Sequence, residues 1–238
     1  MTLILSIPAK EGIVIASDSQ VTSGQVRWQE KKIKQLNEKC LWSASGELAL
    51  IQRFEEFVQQ LPNRNQPLNN IRDSLSEIVK KAVTILLQQD FRTQFLQAPG
   101  LPPNPEVLLQ LHPGDFMFVE WRGNPKILHL LANGTTEWIN KPFASGSGGP
   151  FAYALLQKYQ GYIYNLQKAS LLAYKVLEES IEVGSWGLGP PIDIWQVSET
   201  GIKNLNEDEI AKLADASKVL REIEIQSFLK EDGNCGKT

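Results

Sequence analysis

Residues 2–24 read TLILSIPAKEGIVIASDSQVTSG, and the architecture follows from how this stretch pairs with itself. Thr2–Ile7 and Gly12–Ser17 are apolar runs rich in β-formers. Between them, PAKEG is turn chemistry. The reading is a hairpin that starts at the second residue. With the turn centred near Lys10, residues whose numbers sum to about 20 face one another, which sets Thr2 opposite Asp18, about 4.5–5.5 Å apart at Cα. An acid therefore stands beside residue 2. Met1 precedes a small residue, the context in which initiator methionine is commonly removed. Removal leaves Thr2 with a free α-amine of pKa about 7.7–8.0, near working pH. Such an amine can serve as base for the hydroxyl of its own residue.

A second hairpin follows from EKKIKQL through NEK to CLWSASG. Two helical patterns come next. The first carries Leu48, Leu50, Ile51, Phe54, Phe57, Val58 and Leu61 near a 3.6-residue period. The second repeats the pattern from Ile71 to Leu87 and is expected to run to residue 91. QAPGLPPNPE, residues 97–106, is a connector that no helix interior accepts. Strands resume at DFMFVEW, KILHLLA and EWIN, with NGTT as a turn. Helices are expected at 151–159 and 164–183, and SWGLGPP interrupts them. IDIWQVSETGI reads as strand, turn and strand start. The last helix runs from Asn206, which with Glu209 forms a capping box. Strands, two helices, strands, two helices, strands and a helix favour an α+β layered domain over an alternating βαβ sheet. The expected extent is one domain over residues 2–231, with a polar tail at 232–238.

Composition narrows the function. The chain has 238 residues, 42% hydrophobic and 21% charged, with net charge −3. That balance gives no strong pull toward nucleic acid or a membrane surface. Cys40 and Cys235 make neither a disulfide framework nor a zinc spacing. His112 and His129 are the only histidines, scant material for a metal site or a serine–histidine triad; strand or surface roles suit them better. No signal peptide and no run of about 18 apolar residues is found. The expectation is a cytoplasmic protein without metal or cofactor. ASGSGGPFAYALL, Ala144–Leu156, has the glycines of a phosphate loop. It lacks the lysine of a P-loop and the spacing of a dinucleotide fingerprint.

Taken together, TLILSI with GIVIASDSQVTSG, then KKIKQLNEKCLWSASGE, then SGSGGPFAYALL resemble the proteasome β-subunit family of N-terminal-nucleophile (Ntn) hydrolases, bacterial members included. The likeness covers roughly residues 2–201, and it implies a four-layer αββα sandwich. It implies Thr2 as nucleophile, Asp18 as buried acid, and Lys32 as the lysine that pairs with Asp18 and favours the Thr2 alkoxide. Counting forward from Gly24 selects Lys34 instead; counting back from Gly46 selects Lys32. Gly46 corresponds to the glycine whose N–H meets the oxyanion. Ser147 corresponds to the serine near the threonine amine. The specificity pocket would involve Gln20, Val21, Glu30, Lys34, Ala44 and Leu48. The likeness further implies a peptide or unfolded-protein substrate, a homo-oligomeric ring and an ATPase unfoldase as partner. One departure stands out. Many relatives carry an Asp and then a Ser after the second helix of the second pair, where this chain reads ESIEVGSWGLGPP, with no Asp and with Ser185 as a loose substitute. That gap leaves room for an Ntn amidohydrolase acting on a small amide, or for a catalytically silent ring subunit.

Overall fold

The computed structural model describes residues 2–23, 26–86, 114–183 and 187–231. Strand β1 (Ile4–Ala9) turns at Lys10–Glu11 into β2 (Gly12–Asp18). The register differs by one residue from the sequence expectation. Ala9 pairs with Gly12, so Ile4 faces Ser17 and Leu5 faces Ala16. The cause is a turn of two residues, Lys10 and Glu11, rather than one centred on Lys10. Asp18 therefore lies beside Leu3, not Thr2. The two exchange bonds: Leu3 N–H to Asp18 Oδ1 at 3.0 Å, and Asp18 N–H to Leu3 O at 3.3 Å.

A short hairpin not expected from the sequence follows, β3 (Gln20–Ser23) with β4 (Val26–Gln29). Its signal was the run QVTS–VRWQ about a Ser-Gly pair. The KK hairpin is β5 (Ile33–Asn37) and β6 (Cys40–Gly46). Helices α1 (Leu48–Gln59) and α2 (Leu68–Ile85) come next. Then follow β7 (Gly114–Trp121), β8 (Pro125–Leu131), β9 (Thr136–Ile139) and the three-residue β10 (Phe143–Ser145). Helix α3 spans Gly149–Leu156 and α4 spans Leu166–Glu182. Strands β11 (Ile192–Ser198) and β12 (Gly201–Asn204) lead to α5 (Glu207–Glu231). The Pro-rich connector, His112, Ser185, Cys235 and the tail lie outside the described residues.

Two five-stranded antiparallel sheets form the middle layers, in the orders β10-β1-β2-β11-β12 and β5-β6-β7-β8-β9. Strand alternation explains the layering. On β1 and β2, Leu5, Ile7, Val14 and Ala16 join a core with α3 and α4, while Ile4, Ile13 and Ile15 face the other sheet. On β6 and β7, Trp42, Phe116 and Phe118 meet Phe54 of α1 and Leu75 of α2, while Leu41, Met117 and Val119 turn inward. Both faces of each sheet are covered, so these strands read as continuous apolar runs rather than as apolar–polar alternation. The layers are α, β, β, α, as the resemblance implied.

Two carboxylates secure helix starts. Pro67 precedes α2 and offers no side-chain cap. The fully buried Glu120 supplies the acceptor instead, taking the Leu68 N–H at 3.2 Å on each oxygen and the Arg122 Nε–H at 2.8 Å. An anion at a helix N-terminus satisfies an orphan donor and complements the macrodipole. At α5 the expected capping box is present: Glu209 N–H to Asn206 Oδ1 at 2.9 Å, and Asn206 N–H to Glu209 Oε2 at 3.1 Å.

Candidate active site

The site lies where the start of β1, the end of β2, the start of β5, the end of β6 and the loop after β10 converge. Asp18 is fully buried and makes four contacts. Oδ1 takes the Leu3 N–H and the Lys32 ammonium at 2.7 Å; Oδ2 takes the N–H groups of Gln20 at 3.2 Å and Gly189 at 3.3 Å. A buried charge without such partners would be expensive. Here an ion pair and three backbone donors surround it. The Lys32 side chain is 7% exposed. Burial depresses the Lys32 pKa below that of a free lysine, and the attraction of Asp18 and Glu30 only partly offsets it. The strand partner also fixes Lys32 from behind, because Ser43 Oγ donates to Lys32 O at 2.9 Å.

Thr2 is held from the other side by the Gly-rich loop. Its backbone N–H donates to Ser147 Oγ at 3.1 Å, and the Gly148 N–H reaches Thr2 O at 3.3 Å. The approach is close enough to require glycine at position 146. With φ at +95°, a Cβ there would sit 2.2 Å from Thr2 O. Gly46, at the end of β6, has φ +123° and is exposed.

Thr2, Lys32 and Gly46 share one cleft of about 450 Å³. Val21, Glu30, Lys34, Ala44 and Leu48 line it as well. Gln20 does not. Its N–H is turned to Asp18, and its side chain lies along Gly189. Lys34 is the reserve candidate for the paired lysine. It is bonded to Glu55 of α1 and lies 5.8 Å from the centre of the Trp42 ring. Lys32 lies just before β5 and reaches Asp18, whereas Lys34 lies within β5 and reaches Glu55 of α1. Trp28, from the unexpected β3–β4 hairpin, adds an aromatic wall. Among the described residues, no group of three or more His, Cys, Asp or Glu side chains could hold a metal. No described helix is long and apolar enough to cross a membrane.

A second polar cluster, absent from the sequence expectation, lies next to the site. Asp115 on β7 accepts from Ser45 and, at 2.6 Å, from Ser145. It also pairs with His129 Nε2 at 2.8 Å. Burial would raise the Asp115 pKa, but its hydrogen bonds with His129, Ser145 and Ser45 outweigh it, and the carboxyl lies below its ordinary range. Burial would lower the His129 pKa, but Asp115 and Glu137 outweigh it and push the imidazole up. Spacing gave no warning of this cluster, because its members come from four strands.

The fold is the four-layer αββα sandwich found in Ntn hydrolases. The family model for the proteasome subunit matches residues 2–98. The proteasome subunit beta of Nanoarchaeum equitans (strain Kin4-M) is 26% identical over 208 residues, covering 86% of this chain and 97% of the relative. That of Methanohalophilus mahii is 24% identical over 219 residues, covering 91% and 96%. A solved structure, the Anbu (Gly-1) mutant from Hyphomicrobium sp. strain MC1, superposes with a TM-score of 0.71 at 16% identity, covering 97% of both chains. The chain is thus similar to proteasome β subunits over most of its length, and it shares the fold of the Anbu structure.

Proposed function

We propose that the chain is a threonine peptidase whose nucleophile is Thr2, exposed as the N-terminus when Met1 is removed. The observation that carries this reading is the buried Asp18–Lys32 pair, whose lysine opens with Thr2 and Gly46 into one cleft. Four roles follow. The freed α-amine takes the proton of the Thr2 hydroxyl as its oxygen attacks a peptide carbonyl. The Lys32 ammonium, held by Asp18, stabilises the developing alkoxide. The Gly46 N–H faces the carbonyl oxygen as it becomes an oxyanion, a type of contact worth about 2.7–4 kcal/mol. The protonated amine gives its proton to the leaving amine, and water then hydrolyses the Thr2 ester by the reverse route. Ser147 Oγ holds the amine in place. The loop between α4 and β11 supplies the Gly189 N–H to Asp18 and so helps hold the carboxylate that pairs with Lys32.

Likeness to proteasome β subunits extends the proposal to a peptide or unfolded-protein substrate, a homo-oligomeric ring and an ATPase partner. A small-amide amidohydrolase with the same nucleophile is the second reading. The absence of an Asp from ESIEVGSWGLGPP, where many proteasome-type relatives carry one, leaves room for it. Labelling with an N-terminal-threonine electrophile such as a β-lactone tests the nucleophile. Wild type is expected to label and Thr2→Ala to show none while the fold is retained. Labelling that survives Thr2→Ala refutes the assignment. Cleavage of unfolded casein against small acyl amides then separates the two substrate classes.

A further inference from the structure

The Asp115 cluster ties together the two segments that flank Thr2. Ser45 immediately precedes Gly46, and Ser145 lies two residues before Ser147. The two serines belong to different sheets. Alternation turns both toward the space between the sheets. On β6, Leu41 faces inward and so does Ser45 four residues on; on β10, Phe143 packs against the same inter-sheet core. Asp115 stands opposite Ser45 in the β6–β7 register, and His129 lies diagonally across from Asp115 on β8. One carboxylate thereby accepts from both sheets: Ser45 on Oδ1, Ser145 and His129 on Oδ2. Only a carboxylate offers acceptors on both oxygens; an amide in its place presents a donor on one side.

We propose, resting on the reading of Thr2 as nucleophile, that Asp115 is a positioning residue for this site. By bonding Ser45 and Ser145 it fixes the Gly46 N–H and the Ser147 hydroxyl on either side of Thr2. His129 steadies the carboxylate at 2.8 Å. The groups that face this pair are Glu137 of β9, 3.5 Å from His129 Nδ1, and Tyr153 of α3, whose pKa burial raises and whose ring stands against Phe143. Asp115 touches no substrate. Its effect is geometric, and a displacement of about 1 Å in such a site is enough to cost about 10²-fold in rate.

The test uses the full-length protein with Asp115→Asn, Ser45→Ala, Ser145→Ala and the double variant Ser45→Ala/Asp115→Asn. Two readouts are taken. The first is β-lactone labelling, resolved into the maximal inactivation rate and the half-saturating concentration. Asp115→Asn is expected to lower the maximal rate by about 10²-fold with half-saturation unchanged, and the added serine substitution to cost nothing more. An unchanged rate, or fully additive losses, overturns the clamp. The second is amide hydrogen exchange. Ser145→Ala, made on one sheet, is expected to speed exchange in the Gly46–Leu48 segment reached from the other. Acceleration confined to the mutated loop overturns the clamp without reference to activity. A wild type that does not label at all refutes the Thr2 reading, and the exchange result still judges Asp115.

Discussion

Asp18 and Asp115 each hold a basic side chain at hydrogen-bond distance near Thr2, 2.7 Å from Lys32 and 2.8 Å from His129, yet the two bases shift in opposite senses. Burial is the largest influence on both cations and disfavours their charge. At Lys32 burial prevails, and the lysine titrates below its ordinary value. At His129 the partners prevail, and the imidazole titrates above its own. The difference follows from depth. Asp18 is fully enclosed and shares its oxygens with three backbone donors, whereas Asp115 keeps 21% of its side chain exposed and both carboxylates near His129 are within hydrogen-bond distance of its ring. A deep pair holds the Lys32 amino group at a fixed place in the cleft beside Thr2, which suits stabilising a developing alkoxide. A shallower pair supplies a hydrogen-bonded tie, which suits holding strands in place.

The sharpest way to break the comparison is to remove each cation. Lys32→Ala leaves Asp18 buried without its counter-charge. It is expected to abolish labelling and to destabilise the fold by about 3–5 kcal/mol, read by urea unfolding. His129→Gln, at the shallower pair, is expected to fold and to label more slowly by about 10-fold, the lower end of what a mispositioned group costs. If His129→Gln proves as damaging as Lys32→Ala, the distinction between the pairs fails.

Acid and base titration separates the pairs further. His129 has a raised pKa in the folded state. Its stabilising contribution is therefore complete below about pH 6.5, its unfolded value, and is lost as pH rises through the raised value. Asp115 acts in the converse direction, stabilising above its ordinary carboxyl value and losing that contribution as pH falls through its lowered one. Melting temperature followed across neutral pH should thus fall more for wild type than for His129→Gln. Equal slopes would remove the histidine from the account. The smallest effect is expected at Lys34, half-exposed and paired with Glu55. Lys34→Gln should change stability by less than about 1 kcal/mol and shift KM among peptides without changing the maximal labelling rate.

The layered fold was legible because its strands are apolar on both faces and its helices hold a 3.6-residue period. Thr2, Asp18, Lys32, Gly46 and Ser147 were legible as candidates through the order of their motifs. The register was not. A turn of two residues rather than one moved Asp18 from Thr2 to Leu3, a shift that hydrophobic pattern alone does not resolve, since both faces of these strands are buried. Gln20 was misplaced for a related reason: its N–H is committed to Asp18, and its side chain turns to Gly189. The β3–β4 hairpin is short and its second strand is exposed, so it lacked a buried apolar signature. The Asp115 cluster was beyond any local reading, because Ser45, Asp115, His129 and Ser145 meet only once both sheets have formed.

The central claim is that Thr2 carries both nucleophile and base. A peptide epoxyketone tests it directly, since its closed ring adduct forms one bond to a threonine hydroxyl and a second to the α-amine of the same residue. Intact mass followed by peptide mapping should show a chain that lacks Met1 and carries one inhibitor joined to Thr2 through both atoms. A chain that retains Met1 and takes up no inhibitor, or an adduct on any other residue, would contradict it.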